Sequence, residues 1–236
     1  MSRSLKLTFA TLTFIVISFA AALPVQADPV FFGPTPYTSS ANSPFNSLTF
    51  TYFYLEDFED NALNTPGVGV IGSGNVTGPG FATDSVDADD GVIDGSGTNG
   101  RSFIGVGTPG ITFTFNAVVL GALPTHVGIV WTDGDGMITF EAFGPGGISL
   151  GTITGNHADA SSFGGTAEDR FYGVFSSGGI SSINIRNTFG GIEVDHLQYG
   201  RVSQTPPSTV PEPTTMLLLG TGLAGVAMKA RKRRKA

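Results

Sequence analysis

Short segments in which apolar and polar side chains alternate fill the middle of the chain, and residues 28–200 show no helical periodicity. Residues 111–115, Ile-Thr-Phe-Thr-Phe, alternate strictly, which in a β-strand buries every second side chain. Turn sequences rich in Gly, Asp, Ser and Pro separate these segments. The pattern predicts strands at residues 48–57, 67–71, 102–106, 111–115, 127–131, 137–143, 148–153, 170–175, 180–186 and 192–199.

Short strands joined by turns at this spacing are typical of an all-β fold. They predict an antiparallel β-sandwich, most simply a jelly roll. The 19 phenylalanines supply bulky side chains for the layer of about 10 Å between two sheets. We expect the sandwich over residues 47–201, after an extended lead-in at 28–46 and before a linker at 202–209 that is rich in Ser, Thr and Pro.

The N-terminus has the three parts of a signal peptide. Arg3 and Lys6 are basic, residues 7–23 are apolar apart from Ser and Thr, and residues 25–27 read Val-Gln-Ala. Small residues at those positions are accepted by signal peptidase. We therefore expect a signal peptide at residues 1–27 that is removed after Ala27.

The C-terminus, residues 210–236, also has three parts: Pro211-Glu212-Pro213, an uncharged run at 214–228, and six cations between 229 and 235. The run predicts a single transmembrane helix of about 22 Å, which is short for a hydrocarbon core of roughly 30 Å. Cations stay on the cytoplasmic side of a membrane, so the rest of the chain is expected outside.

This tail resembles the PEP-CTERM sorting signal of exported bacterial proteins. The resemblance implies an exosortase that recognises Pro211, Glu212 and Pro213, cuts near them, and moves the protein from the inner membrane to the cell surface or extracellular matrix. Residues 123–134, 165–174 and 192–200 resemble a β-sandwich module common in proteins with this signal. That second resemblance implies a fold but no activity.

The net charge of the middle of the chain limits which classes of molecule it can bind. Residues 28–204 contain four arginines, no lysine and 18 acidic residues, a net charge of −14. Such a domain repels nucleic acid and acidic polysaccharide, so we expect no nucleic-acid partner. Neutral glycans and divalent cations remain as ligands. The chain has no cysteine, so no disulfide stabilises it.

Carboxylates cluster beside the first long strand and on the last strand, which are often neighbours in a jelly roll. The arrangement resembles sugar-binding sandwiches that hold a structural Ca²⁺, an ion that takes six to eight oxygen ligands. Our hypothesis is a Ca²⁺ held by some of Asp57, Glu59 and Asp195. The alternative is a solvated acidic edge with no ion.

The sequence as a whole indicates an exported, non-catalytic component of the cell surface or exopolysaccharide matrix that can bind glycan. The alternative is an extracellular polysaccharide hydrolase or lyase. A glycosidase needs two carboxyls about 5–10 Å apart, and Glu141 with Glu168 or Asp169 are the candidates. Ser149 lies in a Gly-x-Ser-x-Gly pattern but inside a predicted strand, where a nucleophile elbow does not form.

Overall fold

Two antiparallel β-sheets make up the fold. The computed structural model describes residues 29–80, 83–86, 100–159 and 168–203, together with Arg231. A four-residue helix, α1 (Ala117–Leu120), and 3-10 turns at Ser40–Asn42 and Pro145–Gly147 accompany the strands. The strands are β1 (Val30–Pro36), β2 (Phe50–Glu56), β3 (Val68–Ile71), β4 (Gly74–Thr77), β5 (Ser102–Val106), β6 (Ile111–Phe115), β7 (His126–Asp135), β8 (Ile138–Phe143), β9 (Ser149–Gly155), β10 (Arg170–Phe175), β11 (Ser182–Arg186) and β12 (Phe189–Val202).

The seven-stranded sheet has the order β1-β10-β7-β12-β5-β4, and the five-stranded sheet has the order β3-β6-β11-β8-β9. β12 pairs with β7 along one side. Along its other side β12 pairs first with β5 and then, from Leu197 onward, with β2. The first long strand and the last strand are therefore neighbours. The predicted all-β class and its two antiparallel sheets are confirmed.

Aromatic side chains fill the space between the sheets. Trp131, Phe113, Phe140, Tyr172 and Tyr199 are all fully buried in one cluster. Alternation places them there, because the residues next to them along each strand point to the opposite face. Burying a side chain of this size stabilises a fold by roughly 1.5–3 kcal/mol. The single tryptophan is thus a core residue and is not exposed for stacking on a sugar.

The predicted lead-in at residues 28–46 is corrected by the structure, because this segment belongs to the domain. β1 pairs with β10 at the sheet edge. Behind it, Tyr37 and Phe45 pack with Val130 and Phe171 on the sheet face that points away from the main core. The alternation rule missed β1 because Gly and Pro interrupt its sequence, a composition that edge strands tolerate.

All ten predicted strands are present, with small changes of boundary. β5, β6 and β10 have the predicted bounds, while β7 and β12 are longer than predicted because pairing with each other extends both. β12 includes Val202, which the sequence assigned to the linker. β4 was missed, since Gly-Asn-Val-Thr is short and mostly polar.

Several predicted features lie outside the described residues. They are the signal peptide with Ala27, the triplet Pro211, Glu212 and Pro213, and the transmembrane helix at 214–228. Each stays a prediction at the level of structure. No helix in the part of the chain that the structure describes is long and apolar enough to cross a membrane.

Truncating Phe45 tests whether residues 28–46 are part of the folded domain. We expect Phe45→Ala to lower the free energy of unfolding by about 3–4 kcal/mol, because its ring is 1% exposed. Urea unfolding followed by tryptophan fluorescence measures the loss. Ile148→Ala is the control, because Ile148 is 71% exposed and should change stability by less than about 0.5 kcal/mol. If Phe45→Ala also lowered the free energy of unfolding by less than about 0.5 kcal/mol, residues 28–46 would be a lead-in outside the folded domain, as the sequence predicted.

Candidate functional site

The outer face of the five-stranded sheet is a strip of mostly polar side chains. Phe113, Phe140 and Ile183 on β6, β8 and β11 point into the core, so the residues between them point outward. Cross-strand register brings the outward residues side by side. We call this surface the polar face; it consists of Thr112, Thr114, Thr139, Glu141, Phe143, Ser149, Thr152, Thr154, Ser182, Asn184 and Arg186.

A hydrogen-bonded network crosses four strands of the polar face. Asn184 Nδ2 donates to Thr112 Oγ1 at 2.9 Å, and Arg186 Nη1 donates to Asn184 Oδ1 at 2.7 Å. Arg186 also forms an ion pair with Glu141 at 3.1 Å. Ser149 Oγ donates to the other oxygen of Glu141 at 3.0 Å. The network holds these side chains in fixed positions at the surface.

The chemistry of the polar face matches that of sugar hydroxyls. It offers hydroxyls, an amide, and one carboxylate balanced by one guanidinium, groups that can each donate or accept hydrogen bonds. Arg186 keeps 35% of its side chain exposed and Glu141 keeps 20%. Phe143 lies half-buried on the same face and supplies an apolar surface. The strip can therefore contact a neutral, hydroxyl-rich ligand.

The carboxyl pair that a hydrolase would need is not brought together. Glu141 lies on the polar face, in the ion pair with Arg186. Glu168 and Asp169 come immediately before β10 in the opposite sheet, and both are buried. Glu168 Oε2 accepts a hydrogen bond from the Asp159 amide at 2.8 Å. Combining Glu141 with either residue as a catalytic pair was wrong in geometry, because sequence alternation alone does not say which sheet a strand joins.

Buried carboxylates lie on the outer face of the seven-stranded sheet. Asp133 and Glu193 are direct partners across β7 and β12, and they are 5% and 4% exposed. Glu193 Oε2 accepts hydrogen bonds from the Asp84 amide at 2.9 Å and from Ser102 Oγ at 2.7 Å. Donors from residues 83–86 and from β5 therefore replace water for Glu193.

Asp133 is the less well satisfied partner. Burial, followed by the nearby charge of Glu193, raises its pKa to about 7 against an ordinary 3.8. A hydrogen bond from the Gly134 backbone lowers the pKa in part. Its Oδ1 has no hydrogen-bond partner among the residues that the structure describes. Burial also raises the pKa of Glu193. The pair therefore favours a bound proton near neutral pH.

The proposed calcium ligands Asp57, Glu59 and Asp195 each accept a hydrogen bond from a backbone amide. Asp57 Oδ1 accepts from the Glu59 amide at 3.2 Å, and Asp195 Oδ2 accepts from the Val86 amide at 2.9 Å. Glu59 Oε1 accepts from the Arg101 amide. Across the described ranges, no three His, Asp or Glu side chains are grouped to hold a metal ion. Calcium at these residues stays a prediction, which thermal unfolding with calcium and with a chelator tests.

An open apolar groove of about 570 Å³ lies at one end of the seven-stranded sheet. Burial lowers the pKa of His126, which lines it, to about 4, so the imidazole is neutral at physiological pH. Alternation of polar and apolar residues did not predict the groove, because its walls come from several separate segments. The lining residues of this terminal groove are Val30, Phe32, Pro44, Leu48, Thr49, His126, Phe175, Val202 and Ser203.

Asp133 makes stability depend on pH in an unusual direction. Its folded pKa is raised, so its contribution is favourable below about pH 4 and is lost as the pH rises toward 7. We expect Asp133→Asn to raise the free energy of unfolding at pH 8 by about 2 kcal/mol, since one pKa unit equals about 1.4 kcal/mol and water entry relaxes part of the penalty.

Denaturant unfolding at pH 5 and pH 8 measures this effect. At pH 5 the variant and the parent chain should differ much less than at pH 8. Asp135→Asn, two residues along the same strand and half-buried, is the matched control and should change stability by less than about 0.5 kcal/mol. An equal change in stability for Asp133→Asn at pH 5 and pH 8 would show instead that Asp133 is ionised in the folded domain at both pH values.

Comparison with known proteins identifies the C-terminal segment. No curated protein has significant sequence similarity to the chain. A solved structure of the C-terminal family 22 carbohydrate binding module of Clostridium thermocellum Xyn10B aligns with 11% identity and a TM-score of 0.34, over 66% of this chain and 94% of that one. That TM-score is too low to bear on the fold or ligand of this chain. Residues 209–234, in contrast, match the PEP-CTERM protein-sorting motif. The chain therefore carries this motif, and the Pro-Glu-Pro triplet, the apolar run and the basic cluster had predicted it.

Proposed function

We propose that the chain is an exported, non-catalytic component of the cell surface or exopolysaccharide matrix, whose sandwich domain binds neutral glycan. The PEP-CTERM motif at residues 209–234 implies export. The observation that carries the glycan-binding proposal is the hydrogen-bonded network from Thr112 to Ser149 across the polar face. It presents fixed hydroxyl, amide and charged groups where a ligand can reach them.

The export route that we propose uses both ends of the chain. Signal peptidase removes residues 1–27 after Ala27. The tail then holds the chain in the inner membrane, with the basic residues in the cytoplasm. An exosortase acts at Pro211-Glu212-Pro213 and transfers the domain outward to the cell surface or matrix.

Charge restricts the glycan to a neutral one. With 18 acids against four arginines in residues 28–204, long-range repulsion disfavours acidic polysaccharide at low salt. Hydrogen bonds to a neutral sugar escape that repulsion. Each contributes about 0.5–1.5 kcal/mol net, so several of them, with Phe143 against a sugar ring, support affinity in the millimolar to micromolar range.

Polysaccharide cleavage is the rival function. Glu141 is held by Arg186 and Ser149 on a face that Glu168 and Asp169 do not share. A reducing-sugar release assay on extracellular polysaccharide distinguishes the two functions. Turnover by the parent chain that Glu141→Gln abolishes would establish the hydrolase or lyase instead.

Removing one member of the network tests the glycan proposal. We expect Asn184→Ala to weaken binding of a neutral oligosaccharide at least tenfold, because it removes a donor and an acceptor at the centre of the polar face. Isothermal titration calorimetry against neutral and acidic oligosaccharides measures the affinity. Asn75→Ala on the exposed edge strand β4 of the other sheet is the matched control and should bind as the parent does.

Two outcomes would contradict the glycan proposal. Absence of binding to every neutral glycan would remove the ligand class. Equal affinity for Asn184→Ala and Asn75→Ala would remove the polar face as the site. Tryptophan fluorescence confirms that each variant is folded, since Trp131 is fully buried in the core.

Intact-mass analysis tests the processing proposal. Protein recovered from the medium or matrix of the native cells should lack residues 1–27 and most of the tail after Pro213. We expect Glu212→Ala to keep the tail and stay with the membrane fraction, because the sorting triplet is broken. Thr205→Ala in the linker should be processed normally. Full-length Glu212→Ala protein outside the cell would exclude dependence on the motif.

A further inference from the structure

The chain leaves the described domain from the wall of the terminal groove. The Ser203 amide donates to the Thr49 carbonyl at 3.2 Å, and the Val202 amide donates to Thr125 Oγ1 at 3.2 Å. Val202, Ser203 and Thr49 all line the groove. These bonds fix the position from which residue 204 departs, so the following segment starts at the groove.

The groove runs across four neighbouring strands. It starts at Val202 on β12, passes His126 on β7 and Phe175 on β10, and ends at Val30 and Phe32 on β1. Three strand spacings of about 4.8 Å make that path roughly 14 Å long. Its walls are mostly apolar and aromatic, and Val30 is 51% exposed at the far end.

The segment that follows Ser203 matches this path in length and chemistry. Residues 204–210 are called the linker from here on, because Val202 and Ser203 belong to the domain. They read Gln-Thr-Pro-Pro-Ser-Thr-Val and carry no charge. Five residues in the polyproline conformation span about 16 Å, close to the path from β12 to β1. Proline-rich segments bind aromatic-lined grooves because their conformation is already restricted, so little entropy is lost on binding.

We infer that residues 204–208 bind in the terminal groove, with Pro206 and Pro207 against His126 and Phe175. A lipid surface is a poorer occupant, because a domain of net charge −14 is repelled by anionic headgroups. The linker needs no such approach, since it is covalently attached at the groove wall. Its binding does not depend on the proposed glycan function.

Binding of the linker changes how far the sorting motif reaches. Freely extended, residues 204–210 allow about 25 Å between Ser203 and Pro211. With residues 204–208 in the groove, only two residues, about 7 Å of chain, separate the far end of the groove from Pro211. The groove therefore holds Pro211-Glu212-Pro213 against the end of the domain, and an enzyme that cuts there must release the linker or approach that end.

Disulfide trapping tests the inference, because the chain contains no cysteine of its own. Val30→Cys and Ser208→Cys are introduced together into the exported chain with its tail, purified in mild detergent. We expect an intramolecular disulfide under mild oxidation, formed at least tenfold faster than in the same chain with Pro206→Ser and Pro207→Ser. That comparison keeps linker length constant and removes only the restricted conformation.

The control pair is Phe189→Cys with Ser208→Cys. Phe189 is 67% exposed and begins the 14-residue strand β12, about 40 Å from its end, so this pair should not close within one chain. Equal rates for the Pro-Pro and Ser-Ser linkers would overturn the inference. Disulfides formed mainly between two chains would also overturn it, and would indicate a second copy in the groove.

Discussion

Most of the structure depends on one strand, β12, and on a change of partner halfway along it. Its first half pairs with β5 and its second half with β2, while β7 runs along the opposite side. At the change, His196 adopts a positive φ of 44°, which is costly for a residue other than glycine. The Asp195 carboxylate accepts from the His196 amide at 2.6 Å, and Tyr37 contacts the imidazole at 3.0 Å. Tyr37 belongs to residues 28–46, the segment that the sequence pattern assigned to a lead-in. That segment therefore stabilises the irregular backbone at His196.

Burial of carboxylates follows from this arrangement. Because residues 37–46 and 83–86 cover the outer face of the seven-stranded sheet, the acids of β12 lie beneath backbone instead of facing water. Backbone amides and hydroxyls satisfy Glu193 and Asp195, at the cost of desolvation. Asp133 receives less of this support and raises its pKa instead. The domain thus separates its charge, with buried acids on one sheet and an almost neutral polar face on the other.

Sequence patterning predicted what alternation and turn chemistry determine. It gave the fold class and ten strands, because each period-2 segment is a local signal. It missed β1, because pairing with β10 forms this strand in spite of its prolines. It also missed the terminal groove, because five separate segments of the chain line it. The failed pairing of Glu141 with Glu168 or Asp169 has the same cause, since strand order is not a local property. Carboxylate content likewise could not show that Asp195 bonds to backbone amides. The sorting motif was predictable because it is linear and needs no fold.

The export route that we propose places a structural requirement on the two ends of the domain. In that route, the predicted signal peptide and the predicted tail are both attached to one membrane before processing, so both ends of the domain have to face it. Val30 and Ser203 line the same groove, three strand spacings apart in the sheet. Only Asp28 and Pro29 separate Val30 from the predicted cleavage after Ala27, so the connection on that side is just two residues long. If β12 ended at the opposite end of the sandwich, the linker would have to run back along the length of a strand, roughly 40 Å. Seven residues span at most about 25 Å, so the linker could not cover that distance. Short connections at both ends are therefore compatible with a single membrane only because β1 starts where β12 finishes.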